Sequence, residues 1–248
     1  SGKEMVSEEP APAAGASAGA AWATLRWEED GRYVPQADAE SPWFWQALRT
    51  PSTGAVSETV ILPDLLSGPM TVTLALWSHT ASAANPDHQL HLVWDGQVVA
   101  EWTWDGQGMQ RLTSSFTGSG QEAHELVLET RALPGAELSL VWLDGWEVTY
   151  RRRATADGSV WRAEGSAVEV SGDRQARLVD ISDPFEPRDL GAVAADQLVG
   201  VTPGRRYWMG VPAEAAGPLA LRAAQALDLD ALEDVTYLAI APTPFRDA

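Results

Sequence analysis

The chain reads as all-β: an antiparallel β-sandwich of jelly-roll type, with additional short β segments and a short α/β-like piece at its C-terminal end. Three observations predict this. Between residues 51 and 152, apolar side chains recur at every second position in run after run. Asp-Gly pairs punctuate these runs roughly every ten residues or more, the spacing of a sandwich. Helical periodicity is almost absent before residue 219. With 248 residues, 45% hydrophobic and 21% charged, the chain can bury a core as one large domain or two small ones.

Residues 1–20 are Ala/Gly/Ser/Pro-rich, with a small acidic cluster and no apolar period, and read as a flexible leader. In 21–50, Leu25 and Trp27 alternate with charged residues and Asp30-Gly31 reads as a hairpin-type turn. SPWFWQALR then reads as a short aromatic helix or turn, with Ser41 as cap and Pro42 at the first helical position. The sandwich occupies 51–152. Its strands are Thr71–Trp77, Leu90–Trp94, Val98–Trp104, Glu125–Glu129, Leu138–Leu143 and Trp146–Tyr150, and Asp95-Gly96, Asp105-Gly106 and Asp144-Gly145 end three of them. Further β pieces in 153–213 are Ser159–Ala163, Ala167–Val170, Ala176–Ile181 and Tyr207–Val211. In 214–248 an Ala/Leu-rich stretch, Leu219–Leu232, suits a helix. Thr236–Ala241 is a continuous apolar run, the pattern of a fully buried strand. Such a strand so near Ala248 reads as the start of a truncated α/β domain.

Composition excludes several functions. A formal charge of −18 repels phosphate backbones and anionic lipid, so neither nucleic acid nor a membrane surface is an expected partner. No apolar run is long enough to span a membrane. With no Cys, thiolate nucleophiles, disulfides and Cys-type zinc sites are all absent. Trp is abundant, at twelve residues against four Phe and four Tyr.

A resemblance emerges from motifs in order. Asp30-Gly31-Arg32-Tyr33 is followed by Asp87-His88 with Leu90, Leu92 and Asp95-Gly96, and then by Trp104-Asp105-Gly106. Next come Trp146-Glu147-Val148-Thr149-Tyr150 and the turn phrase Asp180-Ile181-Ser182-Asp183-Pro184-Phe185-Glu186-Pro187. Tyr237–Ala241 and Pro244–Ala248 close the series. Over about residues 25–248 this resembles the non-catalytic region upstream of, and just entering, the caspase-like domain of secreted gingipain-like cysteine peptidases. Asp-Gly stands where the family has Asn-Gly, which keeps the turn chemistry. The resemblance implies an accessory region that packs on or positions its own downstream catalytic domain, in an extracellular or cell-surface setting. It does not imply a peptidase, because no catalytic Cys exists.

The candidate ligand-binding residues are Trp102, Trp104, Trp94 and His88. Trp102 and Trp104 leave one strand face about 7 Å apart, a possible platform for sugar rings. The competing reading is that the rings pack inward, as large aromatics prefer; this is expected of Trp102, while Trp104, at the strand end, is expected to be the exposed ring. His88 and His91, three apart on a strand, face opposite sides and form no joint metal site. His88 reads as a hydrogen-bonding residue at a loop end. The strand-end residues Asp87, Asp95 and Asp105, with Asn85, are the candidates for structural calcium; no Asp-x-Asp-x-Asp-Gly loop is present. No Gly-x-Ser-x-Gly elbow marks a serine hydrolase. Arg151-Arg152-Arg153 suits a trypsin-like processing site or, more simply, a solvated linker. The accessory region is therefore the first functional reading, and a carbohydrate-binding module using Trp side chains the alternative.

Overall fold

Fifteen strands of three or more residues account for most of the computed structural model, which describes residues 5–9, 11–13, 19–39, 41–51, 55–172 and 175–211. They are β1 (Ala21–Glu28), β2 (Gln46–Thr50), β3 (Ala55–Ile61), β4 (Leu65–Ser78), β5 (His88–Trp94), β6 (Gln97–Trp104), β7 (Gly108–Gly118) and β8 (Ala123–Thr130). There follow β9 (Ser139–Arg152), β10 (Asp157–Ala163), β11 (Ala167–Ser171), β12 (Ala176–Asp180), β13 (Arg188–Val193), β14 (Leu198–Gly200) and β15 (Arg206–Gly210). Leu219–Leu232 and Thr236–Ala241, expected as a helix and a buried strand, lie outside the described residues.

The alternation in β4, β5, β8 and β9 generates a sandwich. One long sheet runs β13-β12-β15-β10-β1-β9-β4-β7, with β2 also paired to β9. Against its β1-β9-β4-β7 half packs a four-stranded sheet, β6-β5-β8-β3. Val72, Leu74, Leu76, Leu90, Leu92, Leu126, Leu128, Val141, Leu143 and Val148 fill the gap, all fully buried. A second core lies against the other half of the long sheet. There Trp161, Leu178, Tyr207 and Met209 meet Val168, Val170 and Val199 from a small sheet built on β11 and β14. The long sheet therefore backs two cores, and β1 serves both: Ala21 belongs to the second, Ala23 to the first.

Arg152 sits at the seam. Its side chain is 2% exposed and donates to Asp64 (2.8 Å), Asp157 (2.7 Å) and Ser159 (3.0 Å). Burial disfavours its charge, but the hydrogen bond and charge of Asp157 outweigh that and raise its pKa. Tyr150, beside it, donates to the Pro63 carbonyl (3.2 Å), and burial pushes its hydroxyl up to about 12. Arg151 binds Glu164, and Arg153 reaches Asp64 at 3.5 Å. The run is thus not a solvated linker: two of its three arginines lie in β9, and cleavage there would require that strand to open.

Several local expectations are corrected. Residues 41–49 form no helix: Trp43–Phe44 pairs with Arg32–Tyr33, and Gln46–Thr50 pairs with β9. Leu138–Leu143 and Trp146–Tyr150 are one strand, because Asp144-Gly145 is a bulge rather than a turn. A Cβ on Gly145 would lie 2.8 Å from the Trp27 carbonyl, so the close approach of β1 demands glycine. Asp30-Gly31 joins no hairpin, since the strand before it pairs with β9. The described part of the leader is not without structure: Val6–Ser7 runs parallel to β13, and Ala11–Pro12 pairs with β14.

Candidate functional site

The sequence candidates converge on one corner of the sandwich. β5 and β6 form a hairpin whose turn, Asp95-Gly96, has both residues at positive φ (50° and 77°), a type I′ geometry suited to sheet twist. At its open end Trp104 is the partner of His88. Their rings stack at 5.2 Å, nearly parallel, and Trp104 Nε1 donates to Ser78 Oγ (2.7 Å). Trp104 is therefore half-buried, not the exposed ring of a platform. Trp102, on the same face, is also half-buried and packs against the main core.

His88 is 1% exposed. Its Nε2 lies 2.9 Å from the Thr80 carbonyl, which can only accept, so Nε2 carries the proton. Nδ1 then accepts from Ser139 Oγ at 2.7 Å. With Asp87 adjacent in sequence, this brings together the side-chain types of a serine hydrolase. It cannot act as one. Ser139 and Asp87 are 1% and 3% exposed, so no acyl group reaches the hydroxyl. Asp87 Oδ1 lies 3.4 Å from His88 Nε2, and Asp87 accepts from the backbone N–H of Ser82 (2.7 Å) and Gly106 (2.9 Å). The cluster fastens the 79–87 connection and the Asp105-Gly106 corner, where the chain crosses from the small sheet to the long one. Sequence reading missed the role of Ser139, because fifty residues separate it from His88.

At the opposite end of the hairpin, Trp94 is 4% exposed and packs on Phe116 and His124. Buried in this way, Trp94 and His88 offer no side-chain surface to a ligand. Asp95 binds His124 Nδ1 (2.7 Å) and the Glu125 N–H (2.9 Å). The calcium candidates are accordingly divided: Asp87 and exposed Asp105 lie at one end of the hairpin, Asp95 at the other. Among the described residues no group of three or more acidic or histidine side chains converges.

Aromatic surface lies elsewhere. Tyr33 and Trp43 are 57% and 42% exposed, with ring centroids 5.1 Å apart. Had 43–44 been read as a strand, alternation would have marked Trp43 as outward and Phe44, 1% exposed, as inward. The turn 181–187 carries Phe185, at 87% the most exposed large apolar side chain among the described residues, beside Met5 and Val6.

No family model matches the chain, and no curated protein matches it. Among solved structures it is similar to the dimeric latent PorU of Porphyromonas gingivalis, with a TM-score of 0.64 and 12% identity over 84% of this chain. The chain corresponds to only 22% of that protein's length. A carbohydrate-binding module, CBM36, in complex with calcium and xylotriose aligns over 50% of this chain and 98% of its own, with a TM-score of 0.36 and 17% identity. The CBM35 of Cellvibrio japonicus Abf62 aligns over 51% of this chain and 92% of its own, with a TM-score of 0.34 and 18% identity. Among the described residues no helix is long and apolar enough to cross a membrane.

Proposed function

We propose that this region is the non-catalytic, extracellular accessory part of a gingipain-like peptidase, and that it packs on and positions a caspase-like catalytic domain of the same polypeptide. The observation that carries the reading is the fold shared with PorU over 84% of this chain. The ordered motifs, which fall on β5, β6, β9 and the 181–187 turn, support it, as does the sequence's lack of Cys. The buried Ser139–His88 pair supplies no nucleophile of its own. The exposed apolar group Phe185, Met5 and Val6 suits a docking edge. The test is turnover: the isolated region should cleave no Arg- or Lys-containing peptide. Hydrolysis that survives serine- and metallo-protease inhibitors would contradict the assignment.

A second reading, glycan binding, is favoured by the exposed Tyr33–Trp43 pair, since exposed aromatic faces suit sugar rings. A glycan array probed with the wild type and with Trp43→Ala separates the two. Binding that Trp43→Ala abolishes would establish the second.

A further inference from the structure

The outer face of the long sheet carries a basic feature at odds with the rest of the chain. Arg162 on β10 and Arg206 on β15 are directly opposite in register. Both point outward, because their neighbours Trp161, Ala163 and Tyr207 are buried in the second core. Like charges directly opposite on neighbouring strands destabilise a sheet. Neither guanidinium has an ion-pair partner among the described residues. Yet acids outnumber bases 35 to 17, and the arginines nearby are paired: Arg151 with Glu164, Arg205 with Asp180, Arg177 with Asp189.

The register continues across β1, where Trp22 is the partner of Arg162. Trp22, Arg162 and Arg206 line a recess of about 320 Å³ together with Thr24, Thr149 and Val160. Its size is at the lower end for small-ligand sites. The Thr24 and Thr149 hydroxyls are 2.8 Å apart and keep acceptor capacity toward a ligand. The recess lies in mid-sheet, where the backbone groups of β10 are already engaged with β1 and β15, so no peptide strand can be added. Recognition must come from side chains alone: two guanidinium groups for a carboxylate, an indole face for the C–H face of a ring, and hydroxyls for its rim.

We propose that this recess binds a carboxylated sugar residue, a uronate, with its carboxylate between Arg162 and Arg206 and its ring against Trp22. The site is independent of the accessory reading and of the Tyr33–Trp43 surface.

The test is calorimetric titration of trigalacturonate into the full chain, alongside its methyl ester, pentaglutamate and inorganic phosphate. The acidic trimer should bind, and loss of the carboxylate charge in the ester should weaken binding at least about tenfold, as for a charge-assisted contact. Arg162→Gln/Arg206→Gln and Trp22→Ala should each weaken it comparably. Without ligand, the double Gln variant should melt no lower than wild type, because a like-charge pair is removed; Arg206→Gln alone serves if the double variant does not fold. Absence of binding, equal binding of the ester, or an unaffected Arg variant overturns the proposal. Equal affinity for pentaglutamate or phosphate also overturns it, by showing an anion site without sugar recognition.

Discussion

Arg152 shows how much one side chain can hold. It joins the last sandwich strand to Asp64 and to Asp157 at the start of the second module. Arg152→Ala should destabilise the protein by about 3–5 kcal/mol, since breaking a buried ion pair strands its partners. Chemical denaturation measures this, and adding Asp64→Asn and Asp157→Asn to Arg152→Met should recover much of the loss. Acid sensitivity follows from Asp157 at this seam together with Asp180 on β12 and Asp189 on β13. Asp157, Asp180 and Asp189 all have pKa values below the ordinary 3.8: hydrogen bonds from Ser159 and Arg152, from Ser182 and Arg205, and from Arg177 respectively outweigh burial. A carboxylate whose folded pKa is depressed contributes stability above its unfolded value and loses it as pH falls through the folded one. Stability should therefore drop as pH falls below 3.8, and Asp157→Asn should flatten that part of the profile. None of this was legible in Arg151-Arg152-Arg153, which looks like a solvated run until β9 is placed between two cores.

At the scale of elements, three Asp-Gly pairs look alike in the sequence and end differently. Asp95-Gly96 is a hairpin turn because β5 and β6 pair; Asp105-Gly106 is a corner between sheets because β6 and β7 do not. Asp144-Gly145 is a bulge because β1 and β4 flank β9 on both sides. Gly145→Val should accordingly cost about 1–3 kcal/mol, an overpacking penalty against the Trp27 carbonyl, readable as a lowered melting temperature. The strands themselves were legible where apolar residues alternate, as in β4, β5 and β8. β7, with Thr113, Ser114 and Ser115, and β2, inside SPWFWQALRT, were not. Their β state comes from pairing with β4 and β9, and local propensity does not encode that. Which face of β6 is buried was equally undecided, since neither face is purely apolar. The structure turns Trp102 and Trp104 toward the main core. Trp102→Ala should cost about 2–3 kcal/mol, short of the ~3–5 for a fully buried aromatic, because the ring is half-buried.

For the whole molecule, the long sheet shared by two cores is the feature that a sandwich reading of residues 51–152 leaves out. β10, β12, β13 and β15 extend the sheet beyond β1, so most of the later β pieces continue the sandwich sheet, while β11 and β14 form the small sheet that covers the second core. The candidate site was legible only in part. Strand alternation placed Trp102 and Trp104 on one face, but the Ser139–His88 contact and the Arg162–Arg206 pairing arise from residues 51 and 44 positions apart in the chain. The proposed role of this architecture is to serve as a partner to a catalytic domain. Sedimentation equilibrium of this region mixed with the separately expressed caspase-like domain that the proposal places in the same polypeptide tests it most directly. A stoichiometric complex that Phe185→Asp weakens is the predicted result. Two species that sediment independently at every concentration would contradict it.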